Sequence, residues 1–304
     1  MSRVFEALTR AGEEKRGAPV KPGNGDWVLE EKRAAGEWAG VGEADGDGTS
    51  IVTALPVESW TKSWRERIEE LLFGWDLRRY KSYPLVALEE ESAAAEQYKI
   101  LREQVKSIRS ETGARCLALS SPVKEDGKTM VAVNLATALA LDYEEQVLLI
   151  DGDLRSPQVH RYFGLEPSPG LTDYLNSKSN EDLMNYVQDT FLPNLRILPA
   201  GRPSQVSSEL LAKEKMRNLM EEIRSRFPGH QIIVDSPPVL STPDPSVLAR
   251  QVDAVIMVIR AGKTPRTYLL EAVQSLNSNK VKGIVLNGAE MGFASKYYYY
   301  PHKD

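Results

Sequence analysis

The run Ser120-Ser121-Pro122-Val123-Lys124-Glu125-Asp126-Gly127-Lys128-Thr129 follows an apolar stretch and leads straight into a helical pattern. A Gly-Lys-Thr placed between a strand and a helix is suited to phosphate. Backbone N–H groups at the helix start face the anion, the Lys128 ammonium neutralises β and γ oxygens, and Thr129 offers a hydroxyl to Mg2+. Asp126, Gly127, Lys128, Thr129 and Met130 are the residues such a loop lays against a nucleotide such as ATP. Pro122 replaces the first glycine of the general pattern, so the tripeptide alone leaves a plain turn open. A second apolar run, Val147 to Ile150, ends in Asp151-Gly152-Asp153-Leu154-Arg155, and a third, Ile232 to Val234, ends in Asp235-Ser236-Pro237-Pro238. Mg2+ keeps several waters and takes few protein oxygens, so acids at neighbouring strand ends can hold its shell while Thr129 ligates it. Acids at strand ends also cap helices, but three in register with a phosphate loop favour a site.

These residues need a frame that delivers them to one place. Arg115 to Ser121, Val147 to Ile150, Leu195 to Pro199, Ile232 to Asp235, Ala254 to Ile259 and Val281 to Leu286 read as short apolar strands. Ala93 to Ile108 and Thr129 to Leu141 read as helices, with further helical stretches between most of the later strands. Fully apolar strands separated by helices imply an α/β fold, a parallel sheet with helices on both faces. Ligands of such sheets bind at the C-terminal strand ends, where all three acids and the Gly-Lys-Thr fall.

Composition bounds the remainder. At 304 residues, one α/β domain plus an appendage is the simplest division: a flexible segment over 1–82, a main domain over 83–290 and a tail over 291–304. No apolar run approaches the roughly 18 residues of a spanning helix, and Met1 to Lys15 lacks the apolar core of an export signal, so a cytoplasmic chain is expected. A single cysteine, Cys116, and three scattered histidines, His160, His230 and His302, leave no disulfide and no Cys/His metal cluster. The net charge of −5 argues against nucleic acid as a partner. Residues Gly12 to Ser50 read as a linker. All five tryptophans lie in the first 75 residues, and Val57, Trp60, Trp64, Ile68, Leu71 and Trp75 make a helical stripe that packs either on its own domain or on a membrane-bound partner or bilayer.

The phosphate loop, the hydrophobic-Asp-x-Asp-x-Arg element and the hydrophobic-Asp-Ser-Pro-Pro element together resemble the Walker A, A′ and B motifs of the bacterial tyrosine kinases of capsule and exopolysaccharide loci. Further similarity runs through Phe163-Gly164-Leu165, Gly170 to Leu175, Leu198 to Gly201, Ser208 to Leu211 and Val258 to Thr264, covering about residues 85 to 304. The resemblance implies a P-loop NTPase fold of the MinD/ParA-like kind and an ATP-dependent autokinase. In it Lys128, Asp151, Asp153 and Asp235 are catalytic, Asp151 and Asp235 organise Mg2+ with Thr129, and Asp153 accepts the tyrosine proton. Asn287 matches a position that recognises adenine in related ATPases, and equally suits a turn as Asn287-Gly288.

Four consecutive tyrosines, Tyr297, Tyr298, Tyr299 and Tyr300, match the family's phosphoacceptor tail, which the resemblance implies is modified in trans within a homo-oligomer, a ring. Glu96, Lys99 and Arg102 share a helical face and resemble a ring-forming Glu-x-x-Arg-x-x-Arg motif with one Arg replaced; an ordinary solvated face fits them as well. The implied partners are a membrane polysaccharide co-polymerase (chain-length determinant) as activator, which would place the chain peripherally at the inner face of the plasma membrane, and a protein-tyrosine phosphatase. The implied role is control of capsular or exopolysaccharide polymerisation and export. One departure stands out: Lys124-Glu125 occupies the place of the family's Pro-Gly, so either the Glu125 carboxylate faces solvent and the loop still closes, or ATP binds weakly. Two other readings are a MinD/ParA-like ATPase switch, whose signature lysine is Val123 here, and a catalytically silent scaffold.

Overall fold

The computed structural model describes residues 50–55 (by their backbone), 83–89, 92–142, 144–178 and 181–289. The Trp-rich stripe, the short pattern at Met1 to Ala11 and the tyrosines Tyr297 to Tyr300 lie outside the described residues.

Eight strands form one sheet: β1 (Ser50–Leu55), β2 (Cys116–Ser120), β3 (Val147–Asp151), β4 (Gln188–Asp189), β5 (Leu195–Leu198), β6 (Gln231–Asp235), β7 (Ala254–Arg260) and β8 (Val281–Asn287). Their order is β1-β8-β7-β2-β6-β3-β5-β4, parallel throughout except for the β4–β5 pair at one edge. The six expected strands are present within a residue or two of their expected ends. β1 and β4 are additions to that set; β1 pairs with β8 and falls in the segment before residue 83.

The central strands β2, β3 and β6 are buried along their whole length, their side chains entering two cores alternately, as a sheet covered on both faces requires. Cys116 and Ala118 of β2 face the same core as Leu148, Ile150, Ile232, Val234, Val255 and Met257. Leu117 and Leu119 face the other, with Leu149, Ile233, Ile256 and Val258. The second core is closed by α1 (Ala93–Thr112) and α2 (Lys128–Ala140). The first is closed by residues of helices Leu171–Asn176, Ser207–Ala212, Glu214–Arg226, Asp244–Ala249 and Arg266–Ser275.

α1 begins where the Ser92 hydroxyl accepts the Ala95 N–H and ends where Gly113, at φ 73°, turns the chain out. Ala94, Tyr98, Leu101, Val105 and Ile108, three and four apart, make its buried stripe. A bidentate pair, Arg109 to Glu145 at 2.5 and 2.7 Å, ties it to the turn before β3. α2 is buried on all sides but for Lys128 and Met130 in its first turn, so the helix that starts the phosphate loop is a core element. Among the described residues no helix is long and apolar enough to cross a membrane.

Candidate active site

The strand order places β2 between β7 and β6, with β3 beyond β6. Parallel register then aligns the acids: Asp151 stands opposite Asp235, and Asp235 opposite Leu119, one residue before the end of β2. The strands approach closely because residue 152 is glycine; a side-chain carbon there would sit 2.7 Å from the Asp235 carbonyl. The loops are stitched across the edge by Gly152 N–H to Asp235 O, Ser236 N–H to Leu119 O and Val239 N–H to Ser121 O. The Ser120 hydroxyl donates to Pro237 O at 2.6 Å.

Lys128 is the hub. Its Nζ lies 3.1 Å from Thr129 Oγ1, 3.1 Å from Asp153 Oδ2 and 3.9 Å from Asp235 Oδ1. Burial works against the ammonium, yet Asp235 and Asp153, with Asp151 behind them, more than offset it and hold its pKa above the ordinary lysine value. The three acids differ in their engagements. Asp151 Oδ2 accepts the N–H groups of Gln158 and Val159 and its Oδ1 that of Asp153, so this carboxylate shapes the turn as well as charging the site. Asp153 accepts Ser156 N–H on one oxygen and Lys128 on the other. Asp235 is 1% exposed, and neither of its oxygens meets a hydrogen-bond partner.

Burial raises the pKa of Asp151, and repulsion from Asp235 raises it further. Burial likewise raises that of Asp235, with the Lys128 charge and the nearby Thr129 hydroxyl pulling against it. A buried carboxylate whose oxygens have capacity to spare, beside a hydroxyl, can take a positive ligand. Among the described residues no three His, Cys, Asp or Glu side chains cluster tightly enough to hold a metal on protein groups alone. That donor set fits Mg2+, which draws most of its ligands from water and phosphate.

The phosphate loop itself is tightly held. Gly127 sits at φ 91°, and a methyl there would come within 2.1 Å of Asn287 Nδ2. Asn287 ends β8 and donates to Asp126 O at 2.9 Å, while Gly288 beside it adopts φ 69° as an Asn-Gly turn does. The turn reading of Asn287 is thus met, and its amide also touches the loop. Glu125 is exposed, with its side chain in solvent. It adopts φ 68°, however, a conformation that costs a non-glycine residue about 1 kcal/mol. The Asp126 carboxylate points inward, accepting from Thr264 Oγ1 at 2.5 Å. Arg260 reaches Glu125 O at 3.2 Å. Thr264 and Arg260 are site residues that sequence reasoning misses; the Val258 to Thr264 string is visible, but nothing in it says that it reaches the loop.

Arg155, the arginine after the paired acids, turns away to Asp244, a fully buried carboxylate that also accepts the hydroxyls of Ser207 and Ser208. Glu96 and Lys99 pair with each other along α1, and Arg102 bonds Glu103 and the Ala138 carbonyl, so these three charges are partnered within the chain.

No protein-family model matches the chain. It is 33% identical over 218 residues to the tyrosine-protein kinase YwqD of Bacillus subtilis, which covers 71% of this chain and 90% of that relative. It is 29% identical over 243 residues to the tyrosine-protein kinase ptk of Acinetobacter johnsonii, 80% of this chain but only 32% of that longer protein. The kinase domain of the Escherichia coli tyrosine kinase ETK superposes with a TM-score of 0.66 at 27% identity, covering 81% of this chain and 94% of that domain.

Proposed function

The chain belongs to the bacterial tyrosine kinases, and from that premise we propose that it transfers the γ-phosphoryl group of ATP to tyrosine, with Tyr297 to Tyr300 of a neighbouring copy as acceptors. The observation that carries this reading is the placement of Lys128 Nζ among Thr129, Asp153 and Asp235 at the C-terminal sheet edge.

In this mechanism the N-terminal turn of α2 and the Lys128 ammonium bind the phosphates, and the loop backbone orients them. Thr129 and Asp235, with Asp151 behind, would hold Mg2+, which when bound supplies neutralisation of the charge on the β and γ oxygens. Because phosphate competes with Asp153 for the Lys128 ammonium, nucleotide binding leaves Asp153 free to accept a proton. A phenol with a pKa near 10 is mostly protonated at neutral pH, so a positioned carboxylate is useful. Asp153 takes that proton as the phenolic oxygen bonds to γ-phosphorus. The bond from γ-phosphorus to the bridging oxygen breaks, and ADP departs with that oxygen.

Each phosphate adds about 1.5 to 2 negative charges, so a modified tail is repelled from a site that holds a triphosphate. Glu96, Lys99 and Arg102 would pair with the next copy in a ring. A membrane polysaccharide co-polymerase would act as activator and bring the chain to the inner membrane face, and a tyrosine phosphatase would reset the tail, so that polymerisation and export of the polysaccharide are controlled. The Acinetobacter johnsonii relative, matched over 32% of its length, has further sequence beside this domain, which supports an activating region carried in cis or in trans. The exposure of Glu125 supports the kinase reading over a silent scaffold, because its carboxylate lies in solvent.

Phosphotyrosine blotting of purified protein with Mg2+ and ATP, with and without a co-purified membrane partner, tests the proposal. Lys128→Met and a variant with Tyr297 to Tyr300 all changed to Phe should each abolish the wild-type signal. A clear wild-type signal that neither variant lowers would refute autophosphorylation at this site.

A further inference from the structure

We propose that the turn between β7 and helix Arg266–Ser275 is a positioning device for the phosphate loop, in which Thr264 and Arg260 hold Glu125 in a backbone conformation suited to glycine. This inference rests on the nucleotide-binding reading above and deepens it.

Among the described residues only Glu125 and Asn277 adopt a positive φ without being glycine. Asn tolerates that region through its own short side chain, whereas Glu has no such aid. Something else must therefore hold residue 125, and the contacts around it are specific. Arg260 Nη1 donates to Glu125 O. The next residue, Asp126, is fixed through its carbonyl by Asn287 and through its carboxylate by Thr264 Oγ1 at 2.5 Å and Val123 N–H at 3.3 Å.

The bracing turn is rigid in its own right. Thr264 N–H donates to Arg260 O at 3.0 Å, and Thr264 Oγ1 accepts Arg260 N–H at 2.9 Å. The hydroxyl is thus used in both directions, accepting from its own turn and donating to the loop, which an isosteric valine cannot reproduce. Asp126 is 2% exposed. Burial disfavours its charge, and the bonds from Thr264 and Val123 and the proximity of Arg260 hold that effect in check. Two residues later the chain must present Gly127 at φ 91° and begin α2 with Lys128, so freedom at 125 becomes misdirection of the ammonium.

The brace and the strain it restrains should be energetically coupled. Calorimetric titration with Mg·ADP, and thermal unfolding without nucleotide, on wild type, Thr264→Val, Thr264→Ser, Glu125→Gly and the Thr264→Val/Glu125→Gly pair decide the matter. Thr264→Val should raise the ADP dissociation constant about tenfold, as loss of a hydrogen bond to a charged group does. Thr264→Ser should stay within about twofold, since it keeps the hydroxyl. Glu125→Gly should recover most of the loss, because glycine reaches positive φ unaided. The Arg260→Gln variant with and without Glu125→Gly supplies the same cycle should Thr264→Val fail to fold. Equal deficits in the two backgrounds, or wild-type affinity in Thr264→Val, would overturn the inference. If wild type itself takes up no Mg·ADP the functional reading falls, and the thermal cycle alone still decides the brace: a smaller loss of midpoint in the Glu125→Gly background supports it and an equal loss refutes it.

Discussion

Lys128 Nζ is bonded to Asp153 Oδ2 at 3.1 Å, so the residue proposed to grip phosphate and the residue proposed to take the phenolic proton are partners across the site. Phosphate and base therefore compete for one ammonium. Asp153→Asn should slow phosphotyrosine formation by about 100-fold or more while leaving ADP affinity equal or higher, since Lys128 is then less engaged. Rate and affinity measured side by side check this; parallel loss of both would show Asp153 to be structural.

Stability should fall as pH rises across the neutral range. The folded pKa values of Asp151 and Asp235 are raised, both by burial first. The native state therefore holds more protons than the unfolded chain above about pH 4, where free carboxylates ionise. The stability these two acids contribute is fully present below that pH and is lost as pH climbs through their folded values. Lys128, also raised, contributes stability that is lost only above the ordinary lysine range, so it adds no slope here. Asp235→Asn, whose oxygens forfeit no hydrogen bond, should stabilise the nucleotide-free protein at pH 8 by about 1 kcal/mol or more, with the gain shrinking toward pH 4. Urea titrations at both pH values measure it, and the same variant should be inactive.

Gly127→Ala should cost at least about 1 kcal/mol of stability and weaken nucleotide binding, because the position has positive φ and the methyl meets Asn287. Adding Asn287→Ala should relieve the steric part only. Denaturation midpoints of the single and double variants separate the two contributions.

The sheet and the acids are legible in the sequence because buried parallel strands are nearly pure apolar runs and their ends stand out. β4 is not, since it has two residues, and β1, though mostly apolar, falls in the segment before residue 83 that reads as an appendage. Glu125 is anomalous by residue type, but only backbone geometry shows that it adopts the positive φ that glycine favours. Contacts such as Thr264 to Asp126 join loop residues 138 positions apart and follow from strand order, which periodicity does not encode. The sequence leaves Asp151 open as a cap as well as a metal ligand, and the next loop supplies the N–H groups of Gln158 and Val159 that it accepts.

Lys99→Arg should strengthen self-association a few-fold if the α1 charges join copies, since a guanidinium can bridge bidentately where an ammonium cannot. Folding stability should change by less than about 0.5 kcal/mol, because the Glu96–Lys99 pair is an i,i+3 surface pair that water still reaches. Sedimentation velocity over a concentration series gives the answer, and unchanged association would assign this face to solvent.

The amide of Asn287 reaches back 161 positions to the Asp126 carbonyl. A chain still emerging from the ribosome carries its phosphate loop without that clasp until the eighth strand is made and slots beside the seventh, an interval on the order of ten seconds at ordinary synthesis rates. A chain cut before the eighth strand therefore lacks the side chain that closes on Asp126 and packs against Gly127.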